Sequence, residues 1–167
     1  KHSQMVSGTD SIIVTDPARP YVSRAALKLI AGLDHAGIDV THRTAIDLGA
    51  STGGFTQVLL ERGIEHVVAV DVGHGQMQPT LARDARVTHL EKLNARDLEQ
   101  THLGSHQPDL IVSDLSFVSV TLAAEPALLL ANDTSEAVLL IKPQFEVGRV
   151  GVGKGGLVTD QSLIEST

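Results

Sequence analysis

From residue 44 onward, short and nearly continuous apolar runs alternate with segments whose apolar positions recur at helical spacing. The runs Thr44–Leu48, His66–Val72, Val87–Leu90, Asp109–Asp114 and Glu136–Ile141 predict five strands. Val-Val-Ala-Val-Asp-Val at 67–72 and Val-Leu-Leu-Ile at 138–141 lack a polar alternate face. That is the pattern of a parallel sheet covered on both sides. Residues 53–62 read as a helix, with Phe55, Val58 and Leu59 forming a stripe at i, i+3, i+4 and Gly63 supplying the stop. A further helix is expected over Ser23–His35, with Ser23 as N-cap and Leu27, Ile30 and Ala31 on its apolar face. Arg24 and Lys28, four apart, share a different face of it, with His35 near. Strand–helix alternation of this kind predicts an α/β fold, a doubly wound and mostly parallel sheet.

Both ends break the pattern. Residues 1–20 are polar and poorly periodic apart from Ser-Ile-Ile-Val at 11–14, so they read as a linker or the remnant of a preceding module. Residues 148–156 are Gly-rich, and a new helix begins near Asp160, seven residues before the last one. The domain of residues 21–167 is therefore expected to be incomplete at its C-terminus.

Composition narrows the function. The 167 residues, 42% hydrophobic and 20% charged, suit one globular domain. Without cysteine there is no disulfide scaffold, thiolate zinc site or thiol nucleophile. The eight histidines share no ligand spacing, so no metal is expected. No run approaches the roughly 20 apolar residues of a membrane span, and the N-terminus has no signal-type apolar stretch. A soluble, cytoplasmic protein with no membrane partner is the expectation. The net charge of −7 means that RNA or DNA would need a local basic patch or a second module. Tyr21, Phe55, Phe117 and Phe145 are the only aromatics, which argues against a stacking platform of the single-strand-binding kind.

Candidate chemistry gathers at the predicted strand ends. Asp47-Leu-Gly-Ala-Ser-Thr-Gly-Gly-Phe55 is a strand end, a Gly-rich turn and a helix start, the place where open α/β sheets bind ligands. Gly49, Gly53 and Gly54 leave Ser51 where a dinucleotide fingerprint has its second glycine. Asp47 adds negative charge that repels a pyrophosphate and tolerates a cationic ligand such as S-adenosylmethionine. An ordinary tight turn is the alternative. Asp71 closes the second strand, where a carboxylate accepts both hydroxyls of an adenosine ribose. Asn94-Ala95 follows the third, where a side-chain acceptor and a backbone N–H suit an adenine edge, or Asn94 is a helix N-cap. Asp114 and Lys142 close the fourth and fifth strands. On neighbouring strands they would face the same crevice and move a proton from a hydroxyl nucleophile, or form a plain salt bridge. Asp114-Leu-Ser-Phe117 lacks the prolines of the motif that cradles exocyclic amines, which leaves a hydroxyl acceptor open.

Six motifs occur in order: YVSRAALKL (21–29), DLGASTGGFT (47–56), AVDVGHGQ (69–76), SDLSF (113–117), IKPQFEVGR (141–149) and VGKGGLVTD (152–160). Together they closely resemble the hemolysin-A-like (TlyA) family of ribosomal RNA ribose methyltransferases, within the wider FtsJ-type group. The resemblance covers most of the chain. It implies a Rossmann-like, class I S-adenosylmethionine-dependent methyltransferase fold. It also implies 2′-O-methylation of ribosomal RNA, with cytidine the acceptor in the best-known members. Of the family's Lys-Asp-Lys-Glu catalytic set, the first three positions map to Lys28, Asp114 and Lys142; the Glu maps to no residue here. The cofactor contacts implied fall on Asp47, Gly49, Ala50, Ser51, Gly53, Gly54, Phe55, Asp71, Asn94 and Ala95. Lys142 with Asp114 would deprotonate the 2′-hydroxyl for attack on the sulfonium methyl, and Lys28 would hold the acceptor. Arg24 would contact an RNA phosphate, and Arg149 and Lys154 would close a loop over the RNA, unless 148–156 is only a surface loop.

Three competing readings remain at this point: a membrane-lysing haemolysin, which the weakly amphipathic helices disfavour; a non-catalytic cofactor-binding or ribosome-associated module; and a small-molecule O-methyltransferase.

Overall fold

The computed structural model describes residues 5, 7–11, 15–148 and 151–167. Five strands, β1 (Thr44–Leu48), β2 (His66–Asp71), β3 (Val87–Glu91), β4 (Leu110–Ser113) and β5 (Glu136–Leu139), form one sheet in the order β3-β2-β1-β4-β5. Every pairing is parallel. The chain winds outward from β1 to β3, then returns to place β4 on the other side of β1. The crevice beyond the strand ends opens at that reversal.

Alternation along the inner strands divides the core. Ala45, Val67, Ala69, Leu110 and Val112 pack against α1 (Ala26–Ala36) and α2 (Gly54–Glu61). Ile46, Leu48, Val68, Val70 and Ile111 pack on the opposite face against α5 (Val120–Leu130) and the short segments near 95–103. Those segments are a 3-10 turn at Ala95–Asp97 and α4 (Gln100–Leu103). Short helices α3 (Pro79–Ala82), α6 (Pro143–Glu146) and α7 (Gln161–Glu165) complete the described elements. Asp160 caps α7, its carboxylate accepting from the Ser162 N–H at 3.0 Å.

Besides shifts of one residue at the ends of β2, β3, β4 and α2, several details differ from the sequence pattern. In α1 the buried stripe is Ala26, Leu29 and Leu33, with Ile30 packed beside it, while Ala31 is exposed. Two overlapping apolar stripes were available, and the larger Leu29/Leu33 pair takes the core. That choice also turns Lys28 toward the strand ends. Ser23 lies ahead of the helix, its Oγ accepting from the Ala25 N–H at 3.0 Å, and the first helical residue is Ala26. The third difference is in β5, which is not covered on both faces: Glu136 and Ala137 are exposed, because it is an edge strand among the described residues. The strand also stops two residues early, as the chain leaves the ladder toward Pro143, whose ring favours extended backbone at Lys142 (φ −121°).

Candidate active site

A crevice of about 550 Å3 lies outside the C-terminal ends of β1, β2, β4 and β5. Its first wall is the glycine turn after β1. At Gly49 (φ +81°) a Cβ would stand 3.1 Å from the Leu115 side chain. At Gly53 (φ +96°) it would stand 2.6 Å from Leu81 Cδ1. The positive φ at both positions is what favours glycine in the turn, with the Leu81 and Leu115 side chains crowding it further. Gly49, Ala50, Ser51, Gly54 and Phe55 face the crevice, whereas Gly53 lies behind it.

Asp71, at the end of β2, ties together the loops that follow β1 and β2. One carboxylate oxygen accepts from the Ser51 N–H and the other from the Gly73 N–H, both at 2.7 Å. A carboxylate offers about four lone-pair positions, so two remain for the donors of a ligand. A second tie crosses the same gap, with the Ser51 hydroxyl donating to Gln76 Oε1 at 3.2 Å. Gln76 was not singled out from the sequence, where only its place in AVDVGHGQ pointed to it.

Asn94 caps the turn that follows β3. Its Oδ1 accepts from the Arg96 N–H at 3.1 Å and caps the 3-10 turn, while Ala95 and not Asn94 lines the crevice. The N–H left unsatisfied at the turn's start is the nearer claimant on that oxygen.

Asp47 lies beneath the turn, 1% exposed and off the crevice wall. Its Oδ2 accepts from the Thr56 hydroxyl at 2.7 Å, and its Oδ1 has no hydrogen-bond partner. Burial pushes its pKa up to about 7, partly offset by Thr56, with the negative charges of Asp71 and Asp114 adding to the rise. An orphaned buried carboxyl oxygen beside two more carboxylates fits a ligand that brings positive charge.

The sign of the linkage follows. A carboxyl whose folded pKa lies above its ordinary 3.8 stabilises the fold fully below about pH 4, and that contribution is lost as pH rises through 7. Asp47→Asn is therefore expected to be about 1–3 kcal/mol more stable than wild type at pH 8, with the difference shrinking toward pH 5. Urea unfolding at both pH values measures it; a pH-independent difference would refute the assignment.

On the opposite wall, Asp114 sits between two lysines. Lys28 Nζ donates to its Oδ2 at 2.8 Å, bridging 86 positions of sequence. Lys142 Nζ stands 2.8 Å from its Oδ1 in ionic contact. Lys142 also donates to the Asp114 carbonyl at 3.2 Å and to Ser116 Oγ at 2.7 Å. Two hydrogen-bond acceptors and the charge of Asp114 Oδ1 thus aim Lys142, while Oδ1 itself accepts no hydrogen bond. The structure brings together Lys28, Asp114 and Lys142, and adds Ser116, which the sequence reading missed.

Phe117 was missed as a site residue as well. It adopts φ +68°, is 90% exposed, and lines the crevice mouth with its ring 5.2 Å from that of Phe145. Sequence had counted the aromatics without bringing two of them together. Arg24 stands on the rim, 83% exposed and 3.9 Å from Asp16. Lys154 is exposed and is not on the crevice wall. Arg149 lies outside the described residues.

A doubly wound parallel sheet with this glycine turn, acidic β2 end and switch-point crevice defines a Rossmann-like methyltransferase domain. Residues 21–167 match the family model for FtsJ-like methyltransferases, and the chain belongs to that family. It is 47% identical over 164 residues to the 16S/23S rRNA (cytidine-2′-O)-methyltransferase TlyA of Mycobacterium tuberculosis, covering 98% of this chain and 61% of that one. It is 42% identical to Hemolysin A of Brachyspira hyodysenteriae, covering 96% and 66%. The chain thus spans about three fifths to two thirds of the length of these relatives. Among solved structures it is similar to a hemolysin-named protein from Streptococcus thermophilus, with TM-score 0.84 and 40% identity over 87% of this chain and 53% of that one. A counterpart from Lactococcus lactis gives 0.83 and 36% over 87% and 70%. No helix among the described residues is long and apolar enough to cross a membrane.

Proposed function

We propose that this chain is the catalytic domain of an enzyme that methylates the 2′-hydroxyl of a ribose in ribosomal RNA, with S-adenosylmethionine as donor and cytidine as acceptor. The observation that carries it is Asp114 held between Lys28 and Lys142 at the crevice mouth. When bound, S-adenosylmethionine supplies an electrophilic methyl group. Asp71, Gly49, Ala50 and Ser51 would hold its adenosine, and the carboxylates of Asp71 and Asp114 on the crevice wall suit its cationic part.

Lys142 handles the proton. Asp114 and Ser116 fix its direction, so that it faces the attacking hydroxyl and takes part in moving its proton. Lys28, on the other oxygen of the same carboxylate and half exposed, keeps Asp114 oriented and faces the acceptor. Arg24 on the rim offers a phosphate contact. Fixing hydroxyl and methyl in line supplies much of the acceleration. A ribosomal substrate places the protein in the cytoplasm.

The test is transfer of tritiated methyl from S-adenosylmethionine to ribosomal RNA by the full-length gene product, followed by nucleoside analysis. Label in 2′-O-methylcytidine is expected. Cofactor binding with no label in RNA would end the reading.

Phe117 offers its exposed face to the base attached to the reacting ribose. Phe117→Ala should raise KM for RNA about ten-fold, within the range of about 1–3 kcal/mol for one base–aromatic stack. Calorimetry should show S-adenosylhomocysteine binding unchanged.

A further inference from the structure

The segment from Asp114 to Val120 is gripped by the segment from Lys142 to Glu146 at three places. At the first, Lys142 holds the Asp114 carbonyl and Ser116 Oγ. In the middle, the Phe145 ring tilts against Phe117. At the far end, Glu146 Oε2 accepts from the Ser119 hydroxyl at 2.5 Å and Oε1 accepts from the Val120 N–H at 2.7 Å.

Glu146 here does what a capping residue does for its own helix. Ser119, the N-cap of α5, makes no side-chain capping bond. The carboxylate arrives instead from 26 residues along the chain, and a negative charge suits the N-terminus of an eleven-residue helix. Between the two outer grips lies Phe117, a bulky residue at φ +68°. L-residues seldom hold that conformation, and it persists where the surroundings over-determine it. Release of one end lets Phe117 relax to an ordinary φ and swing its ring away from the crevice mouth.

We propose that Glu146 is a positioning residue for the acceptor: by clamping Ser119 and Val120 it holds Phe117 in register with Lys142. This rests on the reading of Phe117 as the surface that receives the acceptor base. It gives Glu146 a role that depends on RNA and not on the cofactor.

The experiment uses the full-length gene product carrying Glu146→Ala, Glu146→Gln, Phe117→Ala or Glu146→Ala with Phe117→Ala. Glu146→Ala should raise KM for RNA about ten-fold and leave the Kd for S-adenosylhomocysteine within about two-fold. Glu146→Gln should recover most of the loss, because its amide still accepts from Val120 N–H and donates to Ser119 Oγ. The double variant should be no worse than Phe117→Ala alone, since residues acting as one unit are not additive. Wild-type KM in folded Glu146→Ala overturns the proposal, as do independent, multiplying effects in the double variant. Loss of cofactor binding in step with RNA binding also overturns it. Should Glu146→Ala fail to fold, Ser119→Ala, which removes one of the two bonds, should raise KM for RNA about three-fold; no change overturns the proposal equally. An unmodified RNA with wild-type enzyme would instead fail the methyltransferase reading itself, which separates the two.

Discussion

Lys142→Ala is expected to lower methyl transfer to ribosomal RNA by about 100- to 10,000-fold, the range supplied by a positioned proton acceptor, with S-adenosylhomocysteine still bound. The split follows from the geometry. Lys142 contacts Asp114 and Ser116 on the wall proposed for the acceptor, whereas the glycine turn and Asp71 form the wall across the crevice proposed for the donor. Its removal leaves Asp114 with Lys28, so the carboxylate keeps one cation. Single-turnover transfer at saturating RNA isolates the step, and calorimetry checks the donor side. Lys142→Arg should recover the pairing with Asp114 and not the rate, because a guanidinium does not deprotonate. Equal turnover by Lys142→Ala and wild type would remove the lysine from the chemistry.

Asp71→Ala should have the complementary effect. The carboxylate accepts the Ser51 and Gly73 N–H groups, each a hydrogen bond to a charged group, and in the proposed role would take the ribose hydroxyls on its remaining lone pairs. Losing these contacts should weaken S-adenosylhomocysteine binding by about 2–4 kcal/mol, a Kd about 30- to 1,000-fold higher. Asp71→Asn should fall between, because its oxygen still takes one N–H while its amide nitrogen meets the other as a second donor. Titration calorimetry with a melting curve for each variant distinguishes loss of the site from loss of the fold. Undiminished affinity in folded Asp71→Ala would move the cofactor elsewhere.

The inner sheet was legible from sequence because burial on both faces leaves little room for polar residues. The bounds of β1 emerged unchanged and β2 lost only its last residue for that reason. The edge strand β5 was harder, since Val138–Ile141 reads as a buried run whether or not a neighbour covers it. In α1, two competing stripes could not be ranked without knowing that Leu29 and Leu33 meet α2 and the sheet. Asp114 and Lys142 could be named at strand ends, but their contact needed β4 and β5 to be neighbours. Lys28 came from motif resemblance, as no local pattern signals a partner 86 positions away. Asn94 showed why a short polar side chain after a strand is ambiguous, since the backbone claimed it first. Phe117 and Ser116 were hidden for a different reason: their roles depend on a turn whose φ of +68° at a phenylalanine no propensity anticipates.

The two walls differ in how deeply the sheet supports them. The wall proposed for the donor grows from β1 and β2, both interior strands, while Lys142 follows β5, which pairs with one strand only among the described residues. Arg43 fastens the beginning of that strand through Glu136 and Asp109, and Lys142 itself fastens the end. Local opening in proteins begins where backbone bonds meet solvent and few apolar contacts oppose it. If the β5 end opens before the inner strands, the contact between Lys142 and Asp114 would be lost while the β1–β2 side of the crevice stays formed, so occupancy of the crevice alone would overstate the fraction of molecules with the lysine in place.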